Sequence, residues 1–146
     1  MGTMCPCGVQ VDAIARDRNV QFVGMMGQVR GNLTYAADVC VTTLSASTLS
    51  LQFEDTRMMG NRSFTFTANE ITTVTCRRLG QNCEVTVTGT GTVGMMQYPF
   101  VAVFRDQVAS ANVDIVQSFV ITGFFDQNGA ETVPQGSINA LGCQSV

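Results

Sequence analysis

Cys83-Glu84-Val85-Thr86-Val87-Thr88-Gly89-Thr90-Gly91-Thr92-Val93 alternates apolar or small residues with polar ones. The pattern breaks at Gly94-Met95-Met96-Gln97 and resumes in Tyr98-Pro99-Phe100-Val101-Ala102-Val103-Phe104-Arg105. Two period-2 runs separated by a short, glycine-bearing break are the sequence signature of a β-hairpin. The pattern repeats outward from this stretch. Val20-Gln21-Phe22-Val23 leads into Gly24-Met25-Met26-Gly27, and Gln28-Val29-Arg30-Gly31-Asn32-Leu33-Thr34-Tyr35 leads out. Cys40-Val41-Thr42-Thr43-Leu44 and then Thr48-Leu49-Ser50-Leu51-Gln52-Phe53-Glu54 read as strands, the latter with Leu49, Leu51 and Phe53 on one face. Arg57-Met58-Met59-Gly60 turns the chain into Arg62-Ser63-Phe64-Thr65-Phe66-Thr67-Ala68. A further strand over 70–76 precedes a turn at Leu79-Gly80-Gln81-Asn82.

Beyond the third Met-Met turn, the run 113–122 has apolar residues on both faces. Such a strand is expected at the centre of a sheet or against a second surface, for instance a partner subunit. Asp126-Gln127-Asn128-Gly129 predicts a turn, because Asn-Gly tolerates positive φ, and a last strand is expected near 137–141. No window carries a helical stripe, and Thr and Val suit pleated, half-buried surfaces. The expected fold is all-β, an antiparallel β-sandwich or jelly roll of about eight to ten strands with little or no helix. It forms a single domain over 13–146, preceded by a cysteine-bearing arm over 1–12.

Composition narrows the function. In 146 residues, 45% are hydrophobic and 13% charged, against the balance of a disordered chain. The net charge of −3 comes from eight arginines and eleven acids, with no lysine or histidine. Arg77-Arg78 is the only adjacent basic pair, so nucleic acid is not an expected partner. No apolar run approaches the roughly 18 residues of a membrane-spanning helix. No secretion signal is legible, so a leader is read as absent or already removed.

Met25-Met26, Met58-Met59 and Met95-Met96 are unusual at turn tips, which face water. Either they form an exposed apolar feature, or they occupy places where lysine would be ordinary. Thioethers favour Cu(I), but the strand map puts the pairs on three separate turns with no sign that these meet. No metal or cofactor is therefore expected.

Six cysteines permit three disulfides in fifteen pairings. Cys76 and Cys83 flank a hairpin connection and are the expected local pair. Cys40 with Cys143 would close a much longer loop. A bridge within Cys5-Pro6-Cys7 would strain a tight ring. Cys5 and Cys7 are therefore expected to find separate partners, either crosslinking a neighbouring subunit or tying the arm to its own domain. Zinc is disfavoured, since Cys-x-Cys is not the usual spacing. Disulfides imply an oxidising, extracellular or surface location.

Catalytic signatures are lacking. Without histidine there is no Ser-His-Asp triad or Cys-His pair, and without lysine no Schiff base. Glu54-Asp55 and Asp106 could serve a glycosidase only if brought into one cleft. Asp126 to Glu131 lacks the full ligand spacing of a calcium loop. Gly89-Thr90-Gly91-Thr92 precedes no helix, as a phosphate loop would. Asn32-Leu33-Thr34 and Asn61-Arg62-Ser63 match the N-glycosylation pattern. The chain is not expected to be an enzyme.

The order Gly89-Thr90-Gly91-Thr92-Val93, turn, Tyr98 to Asp106, Ser118-Phe119-Val120-Ile121 and Gly136-Ser137-Ile138 resembles small β-rich domains of secreted and surface proteins of bacteria, over 86–138. In design, the Cys5-Pro6-Cys7 arm before a Thr/Val-rich domain is similar to jelly-roll subunits of bacterial spore appendages. The resemblance implies a structural or assembly subunit of an extracellular or spore-surface structure, forming a homo-oligomer or filament and crosslinked through Cys5 or Cys7. The alternative is a surface-exposed module that binds glycan or protein.

Overall fold

The computed structural model describes residues 5–108 and 110–142. Ten strands run in chain order: β1 (Gly8–Phe22), β2 (Val29–Cys40), β3 (Thr48–Asp55), β4 (Phe64–Leu79), β5 (Asn82–Val93), β6 (Met96–Asp106), β7 (Val113–Ile121), β8 (Phe125–Asp126), β9 (Glu131–Pro134) and β10 (Ile138–Leu141). The only helical turn among the described residues is a short 3-10 segment, Val41–Ala46, where the sequence had suggested a strand. β1 already begins at Gly8, inside the stretch read as an arm.

All pairings are antiparallel, and β1 to β8 follow one another in space as in sequence. β8 then pairs back onto β1 through Gln21↔Asp126 and Phe22↔Phe125. The sheet therefore closes on itself as an eight-stranded barrel, not as the expected sandwich or jelly roll. Closure removes the free edges that a sandwich must protect. Below β8, the seam between β7 and β1 is filled by β9, paired to β7, and β10, paired to β1.

Alternation decides which side chains fill the barrel. Val29, Leu33, Tyr35, Ala37 and Val39 of β2 are buried, as are Leu49, Leu51 and Phe53 of β3. Bulges change the parity along other strands. In β1, Val9, Val11, Ala13 and Ala15 face inward, the register shifts between Ala15 and Arg18, and Val20 and Phe22 then take over. Asp17 occupies this bulge at φ 58, its N–H donating to Asn32 Oδ1 at 3.0 Å. In β7 the register shift skips Gln117, so Asp114 and Val116 point inward before it and Phe119 and Ile121 after it. β7 is paired on both edges, to β6 and to β8 and β9, as the central position expected of it requires, and the bulge accounts for the apolar residues on both faces of the run 113–122. An extra residue simply exchanges the sides.

Bulky rings pack over small residues. Phe53 lies across Gly31, and Phe66 across Gly91, where a Cβ would come within 2.5 and 2.4 Å of the ring. Phe100 and Phe119 stack at 6.2 Å, with Phe66 edge-on to Phe100 at 5.3 Å. The interior is thus filled by one cluster of packed apolar side chains.

Polar side chains complete the seam. Asp114 is fully buried; its carboxylate accepts from Gln107 N at 2.9 Å, Gly136 N at 2.9 Å and Ile138 N at 3.1 Å. Asp106 Oδ2 accepts from Ala140 N at 2.8 Å. Arg18, beside the β1 bulge, donates to Glu131 at 2.8 Å and to Thr132 O at 3.2 Å across the seam. Each acid supplies an acceptor to a backbone or guanidinium donor where two strands lack a ladder of their own.

Candidate functional site

Strand order fixes which turns share an end. In an up-and-down barrel, alternate hairpins lie together. The β1–β2, β3–β4, β5–β6 and β7–β8 connections form one end; β2–β3, β4–β5 and β6–β7 form the other. The first set contains all three Met-Met pairs. The described cysteines lie towards the second.

At the methionine end, Met26, Met58, Met59 and Met95 are 97, 94, 96 and 101% exposed. Met96 and Val23 are also exposed, while Met25 folds back onto the core. The turns are held by short local geometry. Val93 and Met96 pair directly, leaving Gly94-Met95 as a two-residue turn with Gly94 at φ 60. The β3–β4 loop is organised by Asp55. Its carboxylate accepts from Arg57 N and Nε at 3.1 and 3.0 Å, Arg57 Nη2 at 2.8 Å and Arg62 N at 3.0 Å. The Arg57 side-chain hydrogen bonds hold the Asp55 carboxyl well below the usual carboxylate range. Neighbouring connections are tied by backbone bonds: Val23 N to Phe124 O, Thr122 N to Pro99 O and Thr56 N to Arg30 O.

The mouth beneath these tips is plugged. Phe64 and Phe124 meet edge-on at 4.9 Å, Phe22 packs on both at 5.7 and 5.5 Å, and Tyr98 stacks on Phe124 at 5.3 Å. Hollows lie along the barrel wall and beside the 3-10 turn, and one, with Glu54, Ser63 and Phe64 in its lining, lies next to the β3–β4 loop. What the methionine end offers is a set of protruding apolar tips on a rigid base.

At the opposite end, Cys5 is bonded to Cys40 and Cys7 to Cys76, with Cα–Cα distances of 5.9 and 5.8 Å. The expected pairs Cys76–Cys83 and Cys40–Cys143 therefore do not form. Register gives the reason for the first: Cys76 lies opposite Val85 and Cys83 opposite Arg78, making the two cysteines diagonal neighbours. Diagonal positions are roughly 7–8 Å apart, beyond comfortable disulfide spacing. Cys83 is itself in a disulfide, no described cysteine is free, and Cys143 lies outside the described residues. Of the two outcomes expected for Cys5 and Cys7, the structure shows the second: they fasten the N-terminal stretch to its own barrel and do not crosslink a neighbour. These pairs are compatible with an oxidising compartment.

The carboxylates considered for glycosidase chemistry are not brought together. Glu54 and Asp55 sit towards the methionine end, while Asp106 ends β6 at the other. Asp126 caps its own turn through Asn128 N at 2.8 Å, and Glu131 is buried against Arg18. Among the described residues, no group of three or more His, Cys, Asp or Glu is arranged to hold a metal, and no helix is long and apolar enough to cross a membrane. Asn32 has its amide engaged with Glu54, whereas Asn61 is exposed in the β3–β4 loop. The sequence reading missed the convergence of the methionine turns and the part played by Arg57, Tyr98 and Phe124. A chain of consecutive hairpins was the available signal, since a meander returns every second turn to the same end.

Comparison with known proteins adds no relative. The chain matches no family model, no curated protein and no solved structure.

Proposed function

We propose that this chain is a non-enzymatic binding module of an extracellular or surface-located system, whose contact surface is the methionine end of the barrel. One observation carries this reading: three hairpin tips, each bearing a Met-Met pair, converge on one end with four methionines more than nine-tenths exposed. Large exposed apolar side chains gathered at one end of a folded domain are candidates for an interaction site, and unbranched thioethers adapt to varied partners. The cysteine end supports it indirectly, because a base closed by hydrogen bonds and fastened by disulfides keeps the tips in fixed relation. Retention on a phenyl resin tests the reading without presuming a ligand. The protein is expected to be retained, and Met26→Ser/Met58→Ser/Met95→Ser to elute early. Equal elution of the two would sink it.

The structural or assembly role implied by the bacterial resemblance is the second reading, now without a crosslink through Cys5 or Cys7. Its support is that the same apolar end is suited to meet a second copy. Sedimentation at increasing concentration tests it, and a strictly monomeric protein would count against it.

A further inference from the structure

We infer that the methionine end is a site of thioether oxidation by hydroperoxides; this rests on the binding-module reading above and adds its regulation. Sulfoxide formation at Met26, Met58, Met59 and Met95 turns the apolar tips polar and switches the contact surface off, with the barrel intact.

Access comes first. These four side chains are more than nine-tenths exposed, and Met96 follows among the methionines at 60%. Met25, next to Met26 on the same turn, is half-buried against the core. One hairpin therefore carries both an open thioether and a sheltered one.

Competition comes second. The chain has no tryptophan and no histidine. No described cysteine is free, so no described thiolate competes for the oxidant. Tyr35 is buried and Tyr98 half-buried. Among the described residues, the exposed side chains that a two-electron oxidant can attack are the methionines, and they are gathered at one end. The disulfides are compatible with a compartment in which such oxidants occur.

Tolerance comes third. Inside a core a sulfoxide is a lesion, because it brings a polar oxygen into an apolar site. At these tips the oxygen enters water. The β3–β4 loop is shaped by the Asp55 carboxylate, which accepts from Arg57 and Arg62, and by the Ser63 hydroxyl, which accepts from Asp55 N at 2.8 Å. The Gly94-Met95 turn is shaped by the backbone pairing of Val93 with Met96. None of these bonds uses a sulfur, so the turns keep their form when the sulfurs are oxidised.

The step is a two-electron oxygen transfer. A lone pair on the thioether sulfur attacks the terminal oxygen of the hydroperoxide, a sulfur–oxygen bond forms and the O–O bond breaks. The proton on the attacked oxygen passes to the departing one, which leaves as water or an alcohol. Sulfur loses two electrons and the peroxide gains them. The product is polar, and methionine sulfoxide reductases reverse it, one enzyme for each epimer.

Titration of the intact, disulfide-bonded protein with hydrogen peroxide tests the proposal, read by peptide mass spectrometry and by retention on phenyl resin. Met26, Met58, Met59 and Met95 are expected to gain oxygen about tenfold faster than Met25, since susceptibility follows exposure. Retention is expected to fall as these four oxidise and to return after treatment with both sulfoxide reductases. The thermal melt should stay that of the parent. Met26→Leu/Met58→Leu/Met59→Leu/Met95→Leu keeps the tips apolar without the sulfurs, so its retention should be insensitive to peroxide.

Oxidation of Met25 at the same rate, or peroxide-sensitive retention of the leucine variant, would overturn the proposal. A melt that collapses with oxidation would also overturn it, by showing damage to the fold in place of a switch. A parent protein that the resin never retains would remove the contact surface and the switch with it. A parent whose retention survives all four sulfoxides would remove the switch alone and leave the contact surface standing.

Discussion

The Tyr35 hydroxyl donates a hydrogen bond to Oε1 of Gln127 inside the barrel, joining β2 to the residue that follows β8. Both side chains are excluded from water, and the Gln127 amide group donates onward to Val116 O at 2.9 Å and Gly129 O at 2.8 Å. Burial pushes the Tyr35 phenol well above its ordinary pKa, so it stays a neutral donor. Tyr35→Phe keeps the ring but strands the Gln127 carbonyl oxygen, because its amide hydrogens are already committed. A buried acceptor left without a donor costs about 1–3 kcal/mol. Urea unfolding of the variant should show that loss with an unchanged slope. A change below about 0.5 kcal/mol would mean the interior relaxes around the gap.

Asp114 should matter more than any exposed acid. Its carboxylate is the acceptor for three backbone N–H groups, from Gln107, Gly136 and Ile138. Asp114→Ala removes both acceptor oxygens, and with them all three hydrogen bonds, in a buried position, with an expected cost above about 3 kcal/mol or failure to fold. Asp114→Asn retains one oxygen and should be intermediate. Amide exchange at Gly136 and Ile138 in the Asn variant should accelerate selectively; uniform protection would show that the seam does not depend on this side chain.

The disulfides close sequence separations of 35 and 69 residues. Loop entropy gives a stabilisation of about 4 kcal/mol for each. Cys5→Ser/Cys40→Ser and Cys7→Ser/Cys76→Ser should therefore each lower the melting temperature by a clear step, as should reductant on the parent. A non-reducing gel should show a monomeric band. A ladder that collapses with reductant would restore the intersubunit crosslink.

Acid should act on the two ends differently. Burial raises the carboxyls of Asp106 and Glu131. Their contribution is complete below the unfolded pKa and is lost as pH rises through the folded value. Asp55 is shifted the other way, so its contribution is present above an unfolded pKa of about 4 and is lost as pH falls through the lowered value. The melting temperature should hold or rise from pH 7 to about 5 and fall only well below that. Glu131→Gln should flatten the upper part of the profile. Asp55→Asn should loosen the β3–β4 loop, read by faster proteolysis near Met58-Met59 while the barrel stays intact. Unchanged cleavage there would count against Asp55 as the organiser of that tip.

Much of the strand content was legible because period 2 is a local property. Leu49, Leu51 and Phe53 face the core as their spacing predicts, and the Asn128-Gly129 turn and the final strand at Ile138–Leu141 fall where turn chemistry and alternation put them. β1 was largely missed, because Asp12, Arg16, Asp17 and Arg18 punctuate it and a bulge at Asp17 breaks the alternation. The run 113–122 does lie between paired strands as expected, but its two apolar faces come from a bulge that exchanges the sides.

By itself, then, the sequence determined an all-β chain of consecutive hairpins, three of whose tips carry paired methionines. Propensity, alternation and turn residues act over a few neighbours, so they can be read from a few neighbours. Closure of the sheet, cysteine pairing and the gathering of the methionine turns at one end were decided only by tertiary structure. These depend on how strand number, bulges and register add up around the barrel. A one-residue shift in any strand exchanges its faces and moves Cys76 or Asp114 away from the groups they meet.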